Sequence, residues 1–117
     1  MNVYKISFFY YIYFSNNDIM TKVTRIDALK FVNQIKLDLR NELFTLDDLT
    51  KGMNVELEHG TRDLFTNVTN NDLMVTGKIA LAHLNEFPDY YKRLARLESE
   101  ADIYWKGRPK KRYVLRR

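Results

Sequence analysis

The sequence predicts an all-α fold, a compact bundle of three or four helices with a flexible aromatic arm at one end and a basic tail at the other. A chain of 117 residues is long enough for one hydrophobic core. It contains only 4 Gly and 2 Pro, which are too few breaks for a many-turned β fold. Apolar residues recur at spacings of three and four. We expect an N-terminal extension (residues 1–22), a helical domain (23–105) and a basic tail (106–117).

The first predicted helix begins after Thr24. Asp27 follows three residues later, so the pair predicts a capping box with Asp in place of the usual Glu. The helical pattern continues to about Leu43, where we expect the helix to end. The apolar stripe predicted to face the core consists of Ile26, Leu29, Val32, Ile35, Leu39 and Leu43.

The second predicted helix begins after Thr45, a residue type favoured at the N-cap position. Gly60 suits the position just after a helix and is predicted to end it. Gly52 lies inside the pattern and is a candidate for a kink. The predicted core stripe of this helix consists of Leu46, Leu49, Met53 and Leu57.

Residues 61–71 are rich in Thr and Asn and lack periodicity, so they predict a loop. A third helix is expected from Asn71 or Asp72, carrying Leu73, Ile79, Ala80, His83, Leu84 and Phe87. Pro88 disfavours helix at the residue before it but suits the first turn of a fourth helix. We expect that helix to end near Tyr104, with Tyr91, Leu94, Leu97 and Ala101 facing inward.

The N-terminal residues 3–14 form a short apolar run that is rich in aromatic side chains. The run is shorter than the roughly 20 apolar residues that span a bilayer, and it lacks the cleavage site of a signal peptide. We therefore expect no stable membrane insertion. A docking arm and an extension upstream of a natural start at Met20 are the favoured interpretations, with a β-strand as a further alternative.

The chain contains no cysteine, which excludes disulfides, thiolate nucleophiles and sulfur-ligated metal sites. It also lacks a glycine-rich phosphate loop and a nucleophile elbow. No convincing catalytic constellation is present, so we predict that the protein is not an enzyme and needs no cofactor.

Residues 106–117 contain seven Lys or Arg and no acidic residue. The preceding 105 residues carry 12 basic and 15 acidic side chains, a net charge of −3. The core Gly107-Arg108-Pro109 resembles an AT-hook, in which glycine admits the backbone to a narrow groove and proline keeps the chain extended. A targeting signal or a solubility tail are the alternatives. The predicted nucleic-acid-binding residues are Lys106, Gly107, Arg108, Pro109, Lys110, Lys111, Arg112, Arg116 and Arg117.

Each of the two histidines lies three residues from a glutamate. Residues at this spacing are neighbours on a helix surface, and Glu-x-x-His pairs from two helices build two-metal sites in four-helix bundles. The second pair has the reverse order, however, and local ion pairs explain both equally simply. Glu56, His59, His83 and Glu86 are therefore the ligands of an alternative divalent-metal site.

The stretch 52–98 resembles a known family through four segments. They read GMNVELEHG from Gly52, NVTNND from Asn67, TGKIALAHL from Thr76 and EFPDYY from Glu86. This pattern is similar to that of an uncharacterised family of short helical proteins encoded by bacteriophages, bacteria and large DNA viruses. The resemblance implies a viral or mobile-element setting and includes both histidines with their glutamates. It does not cover the basic tail.

We therefore expect a small accessory protein of a virus or mobile element that binds DNA non-specifically or with an A·T bias through its basic tail. It would act inside the cell, in the host cytoplasm or nucleus, and packaging in virions is also open. The alternatives are the metal-binding bundle and a structural adaptor that forms a homodimer through the aromatic N-terminus without contacting nucleic acid.

Overall fold

The structure, a computed structural model, describes residues 20–110. Within this range it consists of four α-helices and contains no strand: α1 (Arg25–Gln34), α2 (Leu46–Arg62), α3 (Leu73–Glu86) and α4 (Tyr90–Trp105). A short 3₁₀ helix, Leu39–Asn41, lies between α1 and α2. The prediction of an all-α bundle is confirmed. Residues 1–19 of the predicted N-terminal extension and the last seven residues of the tail lie outside the described residues.

The predicted starts of the first three helices are confirmed by their capping bonds. The hydroxyl of Thr24 accepts from the backbone N–H of Asp27, whose carboxylate accepts in return from the Thr24 N–H. Thr45 and Asp48 form the same reciprocal box at α2. At α3, the Asp72 carboxylate accepts from the N–H of Val75 at 2.9 Å. These bonds satisfy amide groups that a helix N-terminus leaves without partners.

The first helix is shorter than predicted, and the expectation that it reaches Leu43 is wrong. It ends at Gln34 in a Schellman motif, because Lys36 adopts φ 59° and the N–H of Leu37 bonds to the carbonyl of Val32 at 3.0 Å. Glycine usually occupies the left-handed position of this motif. A lysine there gives no composition signal, so the helix end could not be predicted from residue type.

The core stripe of α2 is confirmed, whereas that of the first helix is correct for Val32, Ile35 and Leu39 and wrong for its other three members. In α2, Leu49, Met53 and Leu57 are buried and Leu46 packs against them. In α1 the predicted Ile26 and Leu29 are exposed, as is Leu43 beyond the helix, with an exposed fraction of 86%. The side chains that α1 buries completely or nearly so are Ala28, Phe31 and Val32.

The rotation of α1 follows from a close contact with α3. Gly77 lies under the ring of the fully buried Phe31, and a Cβ at this glycine would come within 2.4 Å of the ring. A bulky aromatic ring on α1 therefore fills a space that a glycine on α3 leaves open. Beside this contact, the Asn54 side chain of α2 both accepts from and donates to the backbone of Val23 at 2.8 Å, which fixes the entry to α1.

The two glycines of α2 serve close packing, and neither interrupts the helix. Gly60 does not end α2 as predicted, because the helix continues to Arg62. A Cβ at Gly60 would lie 2.8 Å from the Asn67 side chain and 2.9 Å from that of Thr69, so the glycine admits the loop that follows. Gly52 lies within continuous helix, where its missing side chain makes room for a ring of α4.

Two details of α4 differ from the prediction. Pro88 stands before the N-cap residue Asp89, and the helix itself begins at Tyr90. Leu97, predicted to face inward, has an exposed fraction of 60%. Tyr91 is the buried residue of this 16-residue helix. The helix therefore contacts the bundle mainly through its first half.

Candidate functional site

The basic segment begins where α4 ends, with Lys106 at the C-cap position. Gly107 adopts φ 73°, a conformation that glycine takes without steric cost, and the N–H of Arg108 donates to the carbonyl of Trp105 at 2.9 Å. A Cβ at Gly107 would meet no atom within 4 Å. The glycine thus turns the chain out of the helix while the backbone around it remains open.

The cations of this segment that the structure describes are exposed. Lys106, Arg108 and Lys110 are exposed, as are Gly107 and Pro109, whereas Lys111, Arg112, Arg116 and Arg117 lie outside the described residues. The guanidinium of Arg108 lies over the ring of Tyr104, 4.4 Å from its centroid. That ring is in turn perpendicular to the indole of Trp105, at a centroid distance of 5.0 Å. Tyr104, which packs against Trp105, therefore holds Arg108 beside the helix end.

A second group of polar side chains lies between α2, α3 and α4. The Tyr91 hydroxyl donates to the Glu56 carboxylate at 2.9 Å, joining α4 to α2. His83 lies between two glutamates, with Nε2 3.8 Å from Glu56 and Nδ1 3.7 Å from Glu86. Both distances exceed those of a hydrogen bond. The Tyr90 ring stacks on the imidazole at 4.2 Å with an interplanar angle of 8°.

This polar group shifts the titration of both tyrosines. Burial raises the pKa of the Tyr91 phenol well above its ordinary value, and the charge of Glu56 beside it adds to the effect. The pKa of Tyr90 is raised for the same two reasons, first by burial and then by the charges of Glu56 and Glu86. Both shifts favour the neutral phenol, so Tyr91 remains a hydrogen-bond donor to Glu56.

A cavity of about 390 Å³ opens beside this group. Residues of α2, α3 and α4 line it, and they include both histidines. Glu56, Glu58, Arg62 and Glu98 also line it, and Arg62 is bound to Glu58 at 2.8 Å. The structure thus brings three of the four predicted metal ligands, Glu56, His59 and His83, to one cavity. Among residues 20–110, however, no three His, Asp or Glu side chains are placed to hold a metal ion. The metal hypothesis gains no support from this arrangement.

A family model described as "Protein of unknown function (DUF5661)" matches residues 28–100. The chain belongs to this family. The match extends beyond the stretch 52–98 on which the resemblance rested, and it confirms that resemblance. Neither the curated proteins nor the solved structures yield a match.

The family region contains both the Glu56–Tyr91 bond and the cavity, and it ends before the basic segment. The family description assigns no activity, and the prediction of a viral or mobile-element setting stays a prediction. For the part of the chain that the structure describes, no helix is long and apolar enough to cross a membrane.

The bond between Tyr91 and Glu56 was not predicted from the sequence, where Tyr91 is assigned only to packing. One signal was available. Gly52 and Tyr91 both belong to the family pattern, and Gly52 lies one helical turn before Glu56 on the same face of α2. A Cβ at Gly52 would lie 2.4 Å from the Tyr91 ring. A glycine inside a good helical stripe therefore indicated close approach by another element, although not by which one.

Replacing Tyr91 by phenylalanine should destabilise the fold by about 1 kcal/mol or more, because the largely buried Glu56 carboxylate loses its donor. The same change should alter the alkaline limit of stability. The folded-state pKa of Tyr91 is raised. The stability that its neutral phenol contributes to the fold is therefore complete below about pH 10 and is lost as pH rises further. Urea unfolding at pH 8 and at pH 10.5 measures both effects.

Tyr90→Phe is the matched control, since it keeps the ring stacked on His83 and leaves the Tyr91–Glu56 bond intact. Equal losses of unfolding free energy in the two variants at pH 8 would show that the bond does not stabilise the bundle.

Proposed function

We propose that this protein binds duplex DNA through the segment 106–117, with a preference for A·T-rich sequence. The observation that carries the proposal is a segment with seven cations and no acidic residue, which follows directly after α4 and a body of net charge −3. A concentrated cationic segment attracts the DNA backbone and releases its counterions, whereas the acidic body is repelled by it.

The described part of the segment supports this proposal by its exposure. Among residues 20–110, none of the salt bridges involves Lys106, Arg108 or Lys110. These cations are therefore available to phosphates without the cost of breaking an ion pair. Pro109 fixes the backbone φ directly after Arg108 and favours an extended chain there.

Arg108 is the proposed minor-groove contact. A·T tracts have a narrow groove with a strong negative potential that favours an inserted arginine. The side chain first has to leave the ring of Tyr104, on which it lies at 4.4 Å. At an exposed site such a contact is worth only about 0.5–1 kcal/mol. The side chain can therefore leave the ring for the groove at small cost.

Arg108→Ala should weaken binding to an A·T-rich duplex by about tenfold, and binding to a G·C-rich duplex of equal length by less. Lys110→Ala is the matched control, because loss of a phosphate contact should weaken both complexes equally. Fluorescence anisotropy with the two labelled duplexes measures both variants and the unaltered chain. Failure of the unaltered chain to bind either duplex contradicts the proposed function. If the two substitutions weaken binding to both duplexes equally, the minor-groove contact of Arg108 is contradicted, whereas DNA binding through the segment is not.

A homodimer would carry two basic segments in one particle and would gain affinity when both contact the same duplex. Action on DNA inside a host cell, in cytoplasm or nucleus, or within a virion, is the corresponding proposal for localisation. It rests on the basic segment and on the setting that the family resemblance implied.

A further inference from the structure

Helix α4 carries an apolar row that the bundle leaves partly uncovered. The row has alternating spacings of four and three and consists of Tyr90, Leu94, Leu97, Ala101 and Tyr104. We call it the heptad row. Its first members pack against the bundle, but the exposed fraction is 60% at Leu97 and 55% at Tyr104. Spacings of this kind are those of helices that pair along their length.

The exposed apolar surface is not confined to the helix. Val68, in the loop between α2 and α3, is 73% exposed and lines the same cavity as Leu94. Phe87, in extended backbone between α3 and α4, is also exposed and lines a small pocket together with Tyr90, Leu94 and Leu97. Contiguous apolar surface of this kind on a small soluble protein marks an interaction site more often than chance scatter does.

Charge along α4 indicates which partner fits. The first half of the helix carries Lys92, Arg93 and Arg96, and the second half carries Glu98, Glu100 and Asp102. A second copy of α4 in antiparallel orientation places each basic half beside an acidic half. A parallel copy places like halves together. In the antiparallel arrangement the two helix dipoles also point in opposite directions, which is their favourable orientation.

We propose that two copies of this chain associate through α4 as an antiparallel, two-fold symmetric pair. Leu97 lies next to the two-fold axis, where it faces the partner's Leu97, and Leu94 faces the partner's Ala101. Tyr90 stays stacked on His83 of its own chain and lies at the end of the contact, near the partner's Tyr104. A two-fold interface is self-complementary, as the row and its charges are. The 11 residues from Leu94 to Tyr104 give a contact about 16 Å long.

The residues that flank the heptad row distinguish the two orientations. Arg93 and Glu100 lie on the same side of the row, four residues before Leu97 and three residues after it. In the antiparallel pair each Arg93 lies beside the partner's Glu100, so two such pairs form. In a parallel pair Arg93 would instead lie beside the partner's Glu98, and Glu100 beside the partner's Trp105. Arg93 is bound within its own chain to Asp89 at 2.9 Å and lies over the ring of Phe87 at 4.2 Å, two exposed contacts that cost little to exchange.

Sedimentation equilibrium of the full chain tests the proposal, with an expected mass of twice the 14.0 kDa chain. Leu97→Glu should raise the dimer dissociation constant on the order of 100-fold, because it places two like charges at the axis. Leu43→Glu is the matched control, since Leu43 is equally a leucine, is 86% exposed and lies outside α4. Circular dichroism of both variants checks that the helices are retained.

The charge exchange tests the orientation. Arg93→Glu and Glu100→Arg should each weaken the dimer, and the double variant should restore it. A dimer that the double variant fails to restore contradicts the antiparallel pair. A monomer at roughly 100 µM full chain, or a dimer that Leu97→Glu leaves unchanged, overturns the proposed interface. None of these outcomes depends on DNA binding.

Discussion

Deletion of residues 106–117 should lower the affinity of this protein for duplex DNA by at least about 100-fold at physiological salt. The deletion removes seven of the 19 basic side chains and leaves a body with a net charge of −3. That body should be repelled by the duplex, since the remaining cations are outnumbered and several are already paired with acids. Electrophoretic mobility shift or fluorescence anisotropy measures the loss.

Two controls separate the role of charge from that of chain length and position. A variant of unchanged length, with the seven cations replaced by glutamine, should lose binding as the deletion does. A second variant replaces three exposed cations of the body, Lys22, Lys30 and Lys78, and should bind nearly as the unaltered chain does. Comparable losses from substitutions in the body and in the segment would contradict a binding site in the segment.

Gly77→Ala should destabilise the fold by about 2 kcal/mol. Its Cβ would lie 2.4–2.6 Å from three atoms of the Phe31 ring, and this ring is fully buried and cannot swing aside. Overpacking at such a site costs about 3 kcal/mol at the upper end of its usual range, offset by about 1 kcal/mol that alanine gains over glycine in a helix. Thermal unfolding should show a decrease in Tm of roughly 10 °C.

A double-mutant cycle identifies the cause of this loss. Phe31→Leu alone creates a void, but in combination with Gly77→Ala the added methyl group occupies part of the space that the ring leaves. We expect the double variant to lose about 1 kcal/mol less unfolding free energy than the two single variants lose together. Strict additivity would mean that the contact between this ring and this glycine does not determine how α1 and α3 pack. Lys78→Ala, at an exposed neighbouring position, should change stability little.

The fold class and the first three helix starts could be predicted because their causes are local. Thr24 and Thr45 each stand three residues before an aspartate that completes a capping box, and this pattern needs no knowledge of the rest of the chain. The end of α1 could not be predicted in the same way. It depends on Lys36 in a left-handed conformation, which glycine would have signalled and lysine does not.

The face that a helix buries depends on its partner, which explains the errors in α1 and α4. Phe31 turns inward because Gly77 of α3 offers space for its ring, and Ile26 is consequently exposed. Leu97 has the correct spacing for a core residue, yet within the described chain the bundle covers mainly the first half of α4. Spacing predicted an apolar row correctly but could not tell whether this chain or another molecule covers it.

The contacts of the polar group between α2, α3 and α4 could likewise be predicted only in part. The i, i+3 spacing predicted that His83 and Glu86 would be neighbours, and they lie 3.7 Å apart. It could not predict that Tyr91 donates to Glu56, because this bond spans 35 residues of sequence and depends on how closely Gly52 lets α4 approach α2. His59 lies on the same cavity but is exposed, which sequence spacing alone does not show.

The most direct test of DNA binding through the basic segment is the salt dependence of affinity, measured for the full chain and for the chain ending at Trp105. If five to seven cations each neutralise a phosphate, the logarithm of the association constant should fall with the logarithm of salt concentration with a slope of roughly −4.5 to −6. The shortened chain should show a slope near zero. The same slope for both chains, or a full-chain slope shallower than about −1, would contradict the account.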